Sequence, residues 1–142
     1  MHWLPEWLAG GLLVTLGAIV GTPARFFISG LVAERLGETF PWGTLVVNAT
    51  GCFIMGLAGG FAVTHGLSSG SAFWLLLATG FLGSYTTVSS FALQTRALVR
   101  DGEGRLALGY VALSLFLCLA AVAGGNELAS VLFAGVVAGV GQ

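Results

Sequence analysis

Hydroxyl side chains are concentrated between Gly80 and Gln94, inside an otherwise apolar stretch of the sequence. Two glycines and two phenylalanines lie among them. Hydrocarbon offers no hydrogen bonds, so polar or irregular segments at membrane depth are tolerated only where they are buried in protein or line a watery path. We therefore predict that this segment is the functional centre. Its hydroxyl residues are Ser84, Tyr85, Thr86, Thr87, Ser89 and Ser90.

Two other apolar stretches carry polar residues at helical spacing. Thr44 and Asn48 are four residues apart and share one helix face. An amide in a membrane needs partners, and the plainer interpretation of Asn48 is an interhelical hydrogen bond worth about 1 kcal/mol. Tyr110, Ser114 and Cys118 form a second stripe at intervals of four. Here the alternatives are an interfacial anchor for the tyrosine and a bond from the serine to its own helix.

The position of the charged residues limits the mechanisms and substrates that the chain could have. Arg25 lies near the end of the first apolar stretch, where it either extends to the interface or faces a vestibule. No Asp or Glu falls within the apolar stretches, whereas a proton-coupled pump normally needs a membrane carboxylate or histidine relay. The sequence also holds no nucleophile and base pair or phosphate loop, so we predict that it is not an enzyme. Hydrogen-bond donors with one positive charge suit a small, strongly hydrated anion.

The composition places these residues in a membrane protein. The chain is 56% hydrophobic and 8% charged, far less charged than a soluble domain. We predict an all-α integral membrane protein with a single membrane domain over residues 1–142. Segment 124–142 is expected to be a tail or an extension of the fourth span, with a short fifth span as the alternative. The predicted spans, each long enough to cross a hydrocarbon core of about 30 Å, are approximately 8–32, 42–64, 72–97 and 105–123.

Short connections make consecutive spans antiparallel neighbours. Pairs of glycines four residues apart allow close helix packing in lipid; they are Gly17 with Gly21, Gly56 with Gly60, and Gly135 with Gly139. Cys52 and Cys118 fall in different spans, and we expect them to act as small apolar side chains rather than as a disulfide or metal site. The net charge of −1 provides no basic field for nucleic acid.

In the predicted topology, four arginines lie on the same side of the membrane. They are Arg35, Arg96, Arg100 and Arg105, whereas both termini and the loop at His65 have none. The excess of positive residues on the cytoplasmic side of membrane proteins would put both termini outside.

Three motifs, taken in order and spacing, resemble those of the Fluc (CrcB) family of bacterial fluoride channels. They are Gly21-Thr-Pro-Ala-Arg-Phe26, Trp42-Gly-Thr-Leu-Val-Val-Asn-Ala-Thr-Gly51, and Gly80-Phe-Leu-Gly83 followed by Thr86-Thr-Val-Ser-Ser-Phe91. The likeness extends to about Ala123. It implies four-span subunits in the lipid of the bacterial inner membrane, paired as an antiparallel homodimer of dual topology. Each dimer would hold two pores that export fluoride passively and confer fluoride resistance.

The resemblance also implies roles for particular residues. The third helix would be broken near its middle, and the backbone carbonyls of Gly83 and Thr86 would bind a structural sodium ion at the dimer axis. Glycines at 80 and 83 would ease the unwinding, because glycine tolerates non-helical dihedral angles. Arg25 would stand at the vestibule. The implied pore residues, where phenylalanine edges offer positive charge to an anion, are Asn48, Thr44, Phe91, Val88, Ser89, Tyr110, Ser114 and Thr87.

This sequence departs from the family pattern at two positions. Val88 stands where the family usually has the first of two phenylalanines, and Gln94 stands where a carboxylate is common. Either the pore tolerates the valine, or a ring such as Phe81, Tyr85 or Phe53 takes its place, or conduction is altered. The competing hypotheses are a non-conducting or altered-conductance partner subunit and a small four-span coupled exporter of drug-like cations. The exporter would need an acidic residue within a span, which the sequence lacks.

Overall fold

Helices account for nearly all of the regular structure. The computed structural model describes residues 5–37 and 39–140, with the backbone alone for 134–140. In that part of the chain there is no strand, and four helical segments are long and apolar enough to cross a membrane. The prediction of an all-α protein with four spans is confirmed at this level. The helices are α1 (Glu6–Leu36), α2 (Trp42–Thr64), α3 (Trp74–Leu82, which is π-helical and is extended by the α-helical turn Gly83–Tyr85), α4 (Val88–Arg100) and α5 (Gly104–Val140).

Helix α5 is the longest element. It has 37 residues, and at a rise of about 1.5 Å per residue it is about 55 Å long, well beyond a hydrocarbon core of about 30 Å. Residues 124–140 continue this helix without a break. Within the described residues, the segment after Ala123 is therefore an extension of the fourth span.

Helices α2 and α5 pack in parallel through glycines. Gly56 lies against the Val122 carbonyl, and one turn further along both helices Gly60 lies against Asn126. A Cβ atom on Gly56 would meet the α5 backbone, so a larger residue cannot fit without moving the helix. The predicted role of this glycine pair in helix packing is confirmed.

A second parallel pair joins α1 to α3. A Cβ atom on Gly17 would lie 2.6 Å from the Phe81 nitrogen, and one on Gly80 would lie 2.6 Å from the Val14 carbonyl oxygen. Gly21 meets Phe81 and Ser84 in the same way. Here too the predicted packing role is confirmed. Gly135 and Gly139, the third pair, lie where the structure describes the backbone alone.

A small apolar core joins the two pairs. Val47 of α2 packs with Leu82 and Tyr85 at the end of α3, and all three are buried. The Tyr85 hydroxyl lies 2.9 Å from the Thr50 hydroxyl of α2. This contact fixes the end of α3 beside the α2 face that carries Thr44 and Asn48.

Candidate functional site

The third span is interrupted at Thr86 and Thr87. Thr86 has φ −79° and ψ 162°, and Thr87 has φ −153° and ψ 119°, both extended conformations. The expectation that glycines permit this change is wrong: Gly83 keeps helical angles of −62° and −30°, and Gly80 lies within α3. Gly80 instead serves the close approach of α1.

Asn48 holds the interrupted backbone in place. Its Nδ2 donates to the Thr87 carbonyl at 3.0 Å, and the Thr87 N–H donates to its Oδ1 at 2.8 Å. In an unbroken α-helix the Thr87 N–H would donate to the Gly83 carbonyl. The amide therefore replaces a helical hydrogen bond and leaves the Gly83 carbonyl without that donor.

Thr87 then caps the start of α4. Its hydroxyl accepts from the Ser90 N–H at 3.1 Å and lies 3.0 Å from the Ser89 hydroxyl. A threonine hydroxyl at this position is a usual helix N-cap. In a continuous helix the Ser90 N–H would donate to Thr86, so the Thr86 carbonyl also loses its helical donor. The Gly83 and Thr86 carbonyls, which the family resemblance assigns to sodium, are thus among the carbonyls that lose a helical donor at the break.

Four of the predicted residues line one cavity of about 320 Å³. Arg25 enters it from α1, Thr44 from α2, and Thr87 and Ser89 from the start of α4. Arg25 lies about three turns before the end of α1 rather than near its end, because α1 runs on to Leu36. The lining includes no carboxylate; its other members are Thr22, Phe26, Ser29, Val47 and Ser90.

Tyr110 is fully buried and lines neither this cavity nor the larger one described below. Its hydroxyl donates to Gln94 Oε1 at 3.1 Å. Its ring centroid is 5.2 Å from that of Phe91 and 5.5 Å from that of Phe40, the latter edge-on. The structure thus brings Tyr110 and Phe91 together with Gln94, the residue that departs from the family pattern.

A second cavity, of about 720 Å³, opens beside this cluster. Thr44 and Ser90 line both cavities, and Gln94 and Phe40 line the larger one. Asp101 and Glu103, in the turn between α4 and α5, also line the larger cavity. The two acidic residues therefore share the larger cavity with Thr44 and Ser90, and neither of them lines the smaller one.

Ser114 and Val88 stand apart from the cavities. Ser114 is buried, and among the described residues its hydroxyl is the buried side-chain polar atom left without a hydrogen-bond partner. Because α2 and α5 run in parallel register, Ser114 lies on the α5 face one turn beyond Tyr110, at the level of Asn48. Val88 is 80% exposed and lines neither of these cavities.

Sequence reasoning missed Ser90 and Phe40. Ser90 follows Ser89 in the hydroxyl segment, and its position three residues after Thr87 indicated that it could line the same cavity. Phe40 lies in the connection before α2, where the sequence offers no pattern that pairs it with Tyr110. Of the rings considered as substitutes at position 88, Tyr85 and Phe81 stack on each other with centroids 5.7 Å apart. Tyr85 is buried in the core and bonded to Thr50, so it serves packing.

Comparison with known proteins gives a consistent result. The family model described as "CrcB-like protein, Camphor Resistance (CrcB)" matches residues 12–126. A Bradyrhizobium diazoefficiens protein named fluoride-specific ion channel FluC 2 is 55% identical over 127 residues, 86% of this chain and 90% of the relative. A Rhodopseudomonas palustris protein of the same name is 56% identical over 128 residues, 89% and 98% of the two chains. An Opitutus terrae protein named fluoride-specific ion channel FluC is 49% identical over 112 residues, 78% and 85%.

Proposed function

This chain belongs to the CrcB family, and from that premise we propose that it is a passive, fluoride-selective ion channel. The observation that carries the proposal is the cavity shared by Arg25, Thr44, Thr87 and Ser89, which is lined by donors and one positive charge and by no carboxylate. A small anion that gives up its water needs such donors in return. The membrane potential, worth about 2.3 kcal/mol per charge per 100 mV, drives the anion outward without coupling.

The buried hydroxyl of Ser114 supports a path that continues between α2 and α5. An unpaired buried polar group costs free energy, so a hydroxyl without a partner in the described residues is suited to a passing ion or water. Asn48 has one Nδ2 hydrogen left after its bond to Thr87. Tyr110 and Phe91 would complete the path, with ring edges and a hydroxyl facing the ion.

We propose that the channel is an antiparallel homodimer with two pores. Gly83 is exposed in the single chain, although it lies at the middle of a membrane span. Val88, at the start of α4, is likewise exposed. A second copy packed at the break would cover both positions and would bring position 88 to the pore. The location is the bacterial inner membrane, with lipid around the outer helix faces.

A sodium ion would fit at the contact between the copies. The carbonyls of Gly83 and Thr86 lack their helical donors, because Asn48 and the Thr87 side chain take the corresponding N–H groups. Two carbonyls from each chain would present four hard oxygen ligands, which suit a hard cation. This ion would be structural, and conduction would not involve it as a carrier.

The second candidate is a subunit that assembles with a conducting partner without conducting itself. Val88 favours it, because a valine removes the aromatic edge that the family resemblance implies at this position. A small coupled exporter has less support, since the cavity at the broken span has no carboxylate to carry a proton.

Fluoride efflux from liposomes separates these functions. Purified protein is reconstituted into liposomes loaded with potassium fluoride, and external fluoride is recorded after a potassium ionophore is added. A channel gives rapid efflux that needs no proton or sodium gradient, and it retains chloride in a parallel chloride-loaded sample. Efflux equal to that from protein-free liposomes would support the non-conducting subunit. No fluoride efflux, together with transport of a drug-like cation that depends on an imposed proton gradient, would support the exporter.

A further inference from the structure

Cys52 and Cys118 lie at the same level of the parallel α2–α5 pair. Each precedes a contact residue by one helical turn, Cys52 before Gly56 and Cys118 before Val122, and Gly56 lies against the Val122 carbonyl. This register sets the two side chains at the same level of the α2–α5 contact, and both thiols are free and half-buried.

The surroundings limit the number of ligands at this point to two sulfur atoms. The chain has two cysteines in all. Among the described residues, no group of three or more His, Cys, Asp or Glu side chains comes together. Met55, the nearest other sulfur along α2, packs against the core of Val47, Leu82 and Tyr85. Two sulfurs suit a soft cation that accepts linear two-coordination.

We propose that Cys52 and Cys118 form a site for a soft monovalent cation of the Cu(I) and Ag(I) class, which bridges α2 to α5. Soft thiol ligands select such ions. One thiol releases a proton when the cation binds, so one thiolate, one thiol and one cation make a neutral complex without any oxidation or reduction. Neutrality matters because net charge within the hydrocarbon region is costly.

The sequence indicated that the two cysteines act as small apolar side chains rather than as a metal site; in the proposed site they are ligands. Their separation in sequence gave no reason to pair them, whereas the glycine contacts of α2 and α5 set them at the same level. The site is independent of fluoride conduction. A protein that conducts no fluoride could still bind the cation, so the two proposals can fail separately.

Silver is the probe, because it does not change oxidation state under these conditions. Reduced, full-length protein in detergent is dialysed against silver nitrate in chloride-free buffer, and bound metal and maleimide-reactive thiols are counted. We expect one silver ion per chain, loss of both reactive thiols together, and a higher melting temperature. Two silver ions per chain, or thiols that still react at one bound ion per chain, would overturn the two-sulfur site.

Single and double variants locate the ligands. In Cys52→Ala and in Cys118→Ala, we expect silver affinity to fall at least about tenfold. Each variant lacks the second sulfur, which the fold would otherwise hold close to an ion bound by the first. The stabilisation by silver should vanish, and Cys52→Ala with Cys118→Ala should bind none. Should an alanine variant fail to assemble, Cys52→Ser and Cys118→Ser keep a small polar side chain and are expected to behave in the same way. Unchanged affinity in both single variants, or silver-dependent linkage of two chains, would contradict a bridge within one chain.

Discussion

At the scale of single residues, Asn48 has two tasks that need opposite hydrogen-bonding groups. Its carbonyl oxygen accepts from the Thr87 N–H, and its NH₂ group donates to the Thr87 carbonyl. A carboxylate can only accept when ionised. The residue type at this position is therefore set by the broken backbone as well as by any ion that passes.

We predict that Asn48→Asp abolishes fluoride efflux. The new negative charge would repel the anion, and its second oxygen would face the Thr87 carbonyl in place of a donor. Efflux is measured in the liposome assay, with size-exclusion chromatography to show that the variant still assembles. Asn48→Gln, which keeps the amide, is the control and should lose less. Efflux from Asn48→Asp equal to that of the unchanged protein would remove Asn48 from the path.

At position 88 we expect a substitution to keep or raise the rate of efflux, because a larger side chain has room there in the single chain. Val88 is 80% exposed, so we predict that Val88→Phe folds normally and conducts fluoride at the same rate or faster. An aromatic edge would then be available to the anion where the valine offers none. The rate in liposomes and the elution volume are compared with those of the unchanged chain. Loss of the assembled form would mean that position 88 packs against a partner and does not contact the ion.

At the scale of elements, the family resemblance implied the break in the third span, but the cause of the break could not be predicted from the sequence. Glycines 80 and 83 suggested local unwinding, yet both stay helical and the extended residues are Thr86 and Thr87. The backbone changes where Asn48, distant in sequence, supplies the substitute hydrogen bond. A tertiary partner of this kind is invisible to local spacing. The helix-packing glycines were predictable because their four-residue interval is itself the physical requirement.

The α2–α5 contact can be tested with two neighbouring glycines. A Cβ atom on Gly56 would collide with the Val122 carbonyl, whereas one on Gly59 would meet nothing within 4 Å. We predict that Gly56→Ala destabilises the protein by about 1–3 kcal/mol, the usual cost of overpacking a tight contact. Gly59→Ala should be neutral or slightly stabilising, because alanine is the better helix former. The melting temperatures in detergent give the comparison. Equal values for the two variants would show that α5 moves aside at little cost.

At the scale of the whole molecule, the parallel pairs α1–α3 and α2–α5 pack beside the break in the third span. One chain leaves part of that break exposed. The count of spans and their polar faces could be predicted from the sequence, since each depends on residues close together in the chain. The position of Tyr110 between Phe40, Phe91 and Gln94 could not, because those contacts join a loop, α4 and α5. Gly83, Val88 and Ser89 stay exposed at the break, as expected if the functional unit is larger than one chain.

Sodium removal tests that larger unit. If the freed carbonyls of Gly83 and Thr86 bind sodium between two copies, replacing sodium by N-methylglucamine during purification should lower the melting temperature. It should also raise the proportion of monomer on dilution. Asn48→Leu removes the amide that draws the Thr87 N–H away from Gly83, so the helical bond can return and the effect of sodium should shrink. Gly59→Ala, which leaves the break untouched, should keep the full sodium effect. Equal dimer stability with and without sodium in the unchanged protein would contradict an ion at this contact, whatever the rate of fluoride efflux.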